Sequence, residues 1–352
     1  MPTTCCRYTS SGSLMSSQVP SDAGLPEDAP LAAVTRGALL ESVHRGRLAV
    51  CDPDGNVLQA IGETEAYIYA RSSAKPFQAL PLVHSGAADA LGLTDRELAV
   101  VCASHNAEEP HLAAVTSILK KAGLTEDDLQ SGAHLPLYEP EADKLIRSGE
   151  EPRPIHGNCS GKHAGMLAVC VHEGYETATY RDPAHPLQRR ILGFMAEVCG
   201  LREDEVLLAG DDCGVPAFAL PLRSFATGLA RIATGNALSD ELALAALRIS
   251  DAMREHPFMV AGTGKFDTEL MDSTELLVKG GAEAMLAVGS QDGWGMALKV
   301  SDGALRAVRP AALAALGGMG VEVPEAVSDV RGLHGEKVGE IRPLIQAPGW
   351  TT

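Results

Sequence analysis

Aromatic side chains are scarce in this chain: Phe, Trp and Tyr together make up 4% of its 352 residues. A core with few rings has to be filled by smaller groups, and Ala and Gly are abundant. Small residues let helices and strands approach closely, which predicts a compact, helix-rich body. Positive charge is short as well. There are 29 Lys and Arg against 46 Asp and Glu, a formal net charge of −17. No basic run or aromatic-studded basic stripe interrupts this acidity. An acidic surface repels phosphate backbones, so nucleic-acid binding is set aside as a function class. Long apolar runs are also missing. None approaches the roughly twenty residues that span a bilayer. The N-terminal stretch, rich in Ser, Thr and Pro, has no apolar segment of the kind a secretion signal needs. Residues 1–30 therefore read as a disordered tail. The chain reads as a cytoplasmic protein without membrane contact.

Cysteine is better supplied, with eight in the chain. In a reducing compartment these are expected as thiols. Cys51, Cys102, Cys170 and Cys199 sit in apolar runs and read as small buried hydrophobes. Cys159 and Cys213 differ, because Gly and polar residues surround them.

The periodicity changes twice along the chain. Residues 32–51 read as extended, and Asp52-Pro53-Asp54-Gly55 is a turn into the run 57–62, together a β-hairpin. The run 66–70 is another short apolar stretch. From about 72 to 256 the pattern is mostly helical, with apolar positions near period 3.6 and several segments ending in Gly. Within it, 206–210 reads as an isolated strand. After 275 the extended pattern returns, followed by a helix near 306–320. These elements predict an α+β fold. Its antiparallel sheet joins N- and C-terminal strands and is covered by helices, and a helical lobe is inserted between the strand sets. Residues 31–345 are expected as a single catalytic domain with two lobes: a sheet lobe from 31–71 plus 257–345, and a mainly helical lobe from 72–256. A cleft at the lobe boundary is the natural place for a small ligand.

Ser72 and Lys75 stand three apart, which puts both side chains on one helix face. A serine hydroxyl is a weak nucleophile until a base takes its proton. A lysine can be that base only when neutral, which needs burial or a nearby cation such as Arg71 or Lys279. The bland reading of Ser72 is a helix N-cap. A second polar cluster, Ser104-His105-Asn106, ends an apolar run, and Lys279-Gly280-Gly281 lies on a late strand. Ser-x-x-Lys, then Ser-x-Asn, then Lys-x-Gly is the order found in penicillin-binding proteins and serine β-lactamases. A third cluster, His156 to His163, places Cys159, Lys162 and His163 on one side of a helix start. With Asp211 and Cys213 these residues can hold a zinc ion. They can equally form a helix N-cap or a thiol of lowered pKa without metal. His84, His111, His172 and His185 read as surface or core histidines. Gly262-Thr263-Gly264-Lys265 lacks the spacing of a phosphate loop.

Taken together, the blocks RSSAKPFQ, CASHNAE, HGNCSGKHAGM, GDDCGVP, AGTGKFDTELM and VKGGAE, in this order, resemble the rhizobial-type (class 3) asparaginases, the asparaginase II family. The resemblance spans roughly residues 31 to 340. It implies a fold similar to glutaminases and serine β-lactamases, and hydrolysis of L-asparagine to L-aspartate and ammonia. It implies two catalytic pairs, Ser72 with Lys75 and Ser104 with Lys279. It further implies a zinc ion held by Cys159, Lys162 and Cys213, with Arg71, His105, Asn106, His163 and Asp211 around the substrate, and a homodimer. The chain departs from the pattern at Ala284, where a glycine is expected, and at Lys265, where an arginine is common. A glutaminase, a penicillin-binding or β-lactamase-like hydrolase, and a non-catalytic zinc- or amino-acid-binding protein are the rival readings.

Overall fold

The computed structural model describes residues 24–345. Most of the tail expected over 1–30 lies outside the described residues, and the first strand already begins at Ala29. Eleven strands are described. They are β1 (Ala29–Arg36), β2 (Leu39–Cys51), β3 (Val57–Ile61), β4 (Tyr67–Tyr69), β5 (Leu207–Gly210), β6 (Pro216–Pro221), β7 (Leu277–Gly281), β8 (Met285–Ser290), β9 (Trp294–Val300), β10 (Ser328–Arg331) and β11 (Lys337–Pro343).

The main sheet runs β10-β11-β1-β2-β9-β8-β7, with β3 paired to β2, and every pairing is antiparallel. Its strands come from both ends of the chain, in agreement with the α+β arrangement read from the sequence. Ala32 on β1 stands opposite Pro343 on β11. The segment expected as one extended run over 32–51 is instead two strands. The chain reverses at Gly37, whose φ of +54° is open to glycine at little steric cost. Strands β8 and β9 are buried at nearly every position, so both faces of the sheet centre are covered. The helix Leu222–Thr234 packs on β2, β8 and β9. It lies close because Gly295 leaves room for it: a Cβ there would sit 2.2 Å from the Ala226 carbonyl oxygen. The helix Val308–Gly318 packs against β1, β9 and β11.

The block between the strand sets is not purely helical. The segment expected as an isolated strand at 206–210 is β5, and it pairs with β6, which in turn pairs with β4. This second, three-stranded sheet was hidden from the sequence by its short runs, which look like loop or buried helix. The expected helix over 75–92 is broken into short turns, where prolines stand at the starts of the segments Lys75–Gln78 and Leu80–His84. Strands β10 and β11 also escaped the sequence reading, because their residues are polar and half-exposed.

Candidate active site

Four segments converge where the main sheet, the second sheet and the helices meet. The first follows β4. Its chain turns sharply at Arg71, a non-glycine residue held at φ +49°. Such a conformation costs on the order of 1–2 kcal/mol. Two ion pairs fix it in place, Arg71 Nε to Asp211 at 3.0 Å and Nη2 to Asp212 at 2.5 Å. A short 3-10 turn, Arg71–Ala74, then carries Ser72 and leads into Lys75. The strand β7 lies against this turn through Gly281. A Cβ at that position would come within 3.1 Å of the Ala70 carbonyl oxygen and the Ser73 nitrogen. The Lys-Gly-Gly run thereby brings Lys279 up to Ser72.

The second segment holds Ser104. The helix Asp95–Val101 starts with a capping box in which Thr94 and Glu97 satisfy each other's backbone groups. It ends just before Cys102, and the chain after it is laced to residues 260–263. Ser104 N donates to the Val260 carbonyl at 2.9 Å, and Asn106 Nδ2 to the Thr263 carbonyl at 3.0 Å. Glu108 accepts from Thr263 N at 2.9 Å and from its Oγ1 at 2.6 Å. The Ala-Gly-Thr-Gly block is therefore a brace for Ser104.

The third segment is the helix Ser160–Glu173, with Cys159 at its start. It packs on the helix Asp95–Val101 through Gly161 and Gly165. A Cβ at Gly161 would sit 2.1 Å from the Val100 carbonyl oxygen. The fourth is the β5–β6 turn, which presents Asp211, Asp212 and Cys213.

Lys75 is fully buried among backbone carbonyls. Its Nζ donates to the Ala103 carbonyl, lies 3.0 Å from Ser104 Oγ and reaches the Asn158 carbonyl at 3.4 Å. Burial and the neighbouring charges of Lys162 and Lys279 push its pKa down to about 8, against a smaller upward pull from Cys159 and Cys213. Ser104 is thus the serine hydrogen-bonded to Lys75, whereas the resemblance paired it with Lys279. The Lys279 ammonium is held by Asp267 at 3.3 Å and by the Gly280 carbonyl at 2.7 Å. Gly280 N also donates to Asp267 at 2.7 Å. Asp267 escaped the sequence reading: a lone carboxylate on a helical segment carries no signal of what the fold sets beside it.

Lys162 is as buried as Lys75 but keeps other company. Its Nζ lies 3.1 Å from Cys213 Sγ and 3.6 Å from Asp211. Burial alone would lower its pKa, but Cys213, Cys159 and Asp211 outweigh burial and raise it. The Cys213 thiol donates to Asp211 Oδ2 at 3.7 Å. The neighbouring Cys213, with the charges of Lys75 and Lys162, holds Cys159 well below the usual thiol range. The neighbouring Cys159, together with burial, pushes Cys213 up. Among the described residues, no group of three or more His, Cys, Asp or Glu side chains forms a metal-binding cluster.

Two chambers open onto these groups. One, of about 120 Å³, is polar and is lined by Arg71, Asn158, Cys159, Asp211 and Cys213 among others. The other, of about 390 Å³, is lined by Ser104, Asp267 and Lys279 and by apolar side chains. Ser72, Asn158 and Ala282 belong to both walls. His105, Asn106 and His163, expected around the substrate, line neither chamber and are buried behind the walls. His105 Nδ1 accepts from Ala107 N at 3.1 Å, so the neutral ring carries its proton on Nε2 and donates it to Ser160 Oγ at 2.9 Å. Burial, with His111 and Lys75 nearby, keeps this ring neutral. The Tyr180 hydroxyl accepts from Gln130 N at 3.0 Å and donates to His163 Nδ1 at 2.6 Å.

Comparison with known proteins adds the following. No curated protein matches. Among solved structures, Mglu in its native form is similar at 11% identity over 79% of this chain, with a TM-score of 0.36. The chain spans 65% of that protein's length, just under two thirds. A probable glutaminase from Bacillus subtilis, complexed with 6-diazo-5-oxo-L-norleucine, is similar at 11% identity over 73% of this chain and 76% of its own, with a TM-score of 0.34. A β-lactamase from Mycobacterium bovis is similar at 13% identity over 73% and 87%, with a TM-score of 0.35. The L-asparaginase II family model matches residues 32–343, a span from β1 to β11 that takes in every group lining the two chambers, and the chain belongs to the asparaginase II family.

Proposed function

We propose that the protein hydrolyses the side-chain amide of L-asparagine to L-aspartate and ammonia by covalent serine catalysis. The observation that carries this reading is Lys75, buried without a carboxylate and hydrogen-bonded at 3.0 Å to Ser104 in a chamber that Ser72 also lines. A lysine pushed down to about 8 is partly neutral near physiological pH and can serve as a general base.

Ser72, on the wall between the chambers, is the nucleophile. Its proton passes to Ser104 Oγ as the Ser104 proton passes to Lys75. Ser72 Oγ bonds to the amide carbon, the C–N bond breaks, and the proton returns from Lys75 to the leaving nitrogen. Water then hydrolyses the ester and restores the Ser72 hydroxyl. Lys279, held by Asp267, places positive charge beside the reacting groups, where developing negative charge is stabilised.

The donor set in the polar chamber fits a zinc ion. Zinc favours thiolate and neutral nitrogen ligands; Cys159 and Cys213 bring two sulfurs to the chamber wall, and Lys162 behind them brings an amine whose proton the ion would have to displace. When bound, zinc would supply positive charge that polarises or orients a polar group of the substrate. Metal content of the purified protein, with Cys159→Ala as control, tests this part: a stoichiometric metal lost in the variant is expected.

Ammonia release from L-asparagine and L-glutamine in parallel tests the reaction. Release from asparagine that disappears in Ser72→Ala is expected. Undiminished turnover in that variant would transfer the nucleophile's role to Ser104. Preference for glutamine would make the enzyme a glutaminase.

A further inference from the structure

The two chambers differ in size and in chemistry, and both touch Ser72. The polar chamber, at about 120 Å³, has room for an amino-acid head with its two charges. The other, at about 390 Å³, falls in the range of sites that take small organic ligands. Ammonia is about the size of water, whose share of liquid volume is about 30 Å³. A chamber more than ten times larger is not built around that leaving group. Its lining includes Phe266, Met285, Leu286 and Val308, and also Leu137 and Leu305, whose side chains are 57% and 69% exposed. Exposed apolar side chains on a catalytic cleft mark a surface that an apolar ligand covers. Lys279 and Ser104 line this same chamber, so the leaving nitrogen faces it when the amino-acid head fills the other.

We propose that the large chamber is a leaving-group site and that the enzyme accepts N-substituted side-chain amides of aspartate, in which ammonia is replaced by an apolar amine. This inference rests on the amidohydrolase reading above. Its chemistry is the same. Ser72 Oγ bonds to the amide carbon, the C–N bond breaks, and the amine leaves with the electron pair and the proton held by Lys75. Water hydrolyses the ester to aspartate.

The test is hydrolysis of L-aspartic acid β-anilide, followed by aniline release, beside L-asparagine followed by ammonia. The expected result is a kcat/KM for the anilide at least equal to that for asparagine. In Leu305→Glu and Leu137→Glu, both at exposed positions that do not threaten folding, the ratio of anilide to asparagine kcat/KM falls about tenfold, as the loss of apolar pocket contact predicts. Hydrolysis of asparagine without hydrolysis of the anilide overturns the leaving-group site and leaves the asparaginase reading intact. An anilide rate that is unchanged by both variants also overturns it. Failure of the folded protein on both substrates overturns the amidohydrolase reading, and this inference with it.

Discussion

Lys75 and Lys162 are the same residue type, buried to the same degree a short distance apart, and they are driven in opposite directions. Around Lys75 stand backbone carbonyls and the Ser104 hydroxyl, dipoles that cannot repay the cost of burying a charge. Around Lys162 stand two thiols and Asp211, and their negative charge more than repays it. Burial therefore does not decide the protonation of a lysine; the partners do. The fold thus sets a lysine that deprotonates readily beside Ser104 and one that stays charged beside Cys213.

The largest test of this contrast replaces Lys75. Lys75→Met removes the base while keeping an apolar side chain of similar length, and kcat should fall about 10²- to 10⁴-fold. Ammonia release measures the loss, and a thermal melt close to the wild-type one shows that the fold survives. Lys162→Met should do the reverse of this in stability. It leaves the Cys159 thiolate without this cation and Asp211 with Arg71 alone, and removing one partner of a buried pair costs about 3–5 kcal/mol. Urea unfolding checks it, and a wild-type midpoint would mean that Lys162 does not hold the thiols. The pH profile comes next. Lys75 is neutral above about pH 8 and charged below it. Activity should thus fall about tenfold per unit on the acid side, or roughly 100-fold at pH 6 relative to the plateau. A profile flat from pH 6 to 9 would remove Lys75 as the base. The smallest effect concerns Ala284, at φ +54° in the tight turn between β7 and β8. Ala284→Gly should relieve this strain and stabilise the protein by about 0.5–1 kcal/mol, seen as a small rise in Tm.

Ala284 also shows what a sequence can and cannot tell. The resemblance expected glycine there, and the positive φ is the physical reason. The strand-rich ends and the helical middle were legible because their apolar periods differ. Ser72, Ser104 and Lys279 line one chamber, with Lys75 buried behind Ser104. Which lysine bonds which serine was not legible, since side-chain direction at a 3-10 turn does not follow from three-residue spacing. The second sheet was missed because β4, β5 and β6 are short and their pairing joins residues far apart in sequence. His105 and His163 look like ligands in a string of letters. Only the packing shows them bonded to Ser160 and Tyr180, away from the chambers.

The pairing of β1 with β11 has a consequence for how the protein is made. Ala32 waits for Pro343, and a ribosome adding about 5–20 residues per second needs roughly 15–60 seconds to supply it. Through that interval the first hairpin has one edge with nothing to bond to, and an open strand edge is an invitation to wrong partners. Lys279 is also made long after Ser72 and Ser104, so the large chamber cannot close until that strand emerges. A nascent chain that has not reached Lys279 therefore lacks one wall of the large chamber, and one that has not reached β11 keeps an open edge on β1.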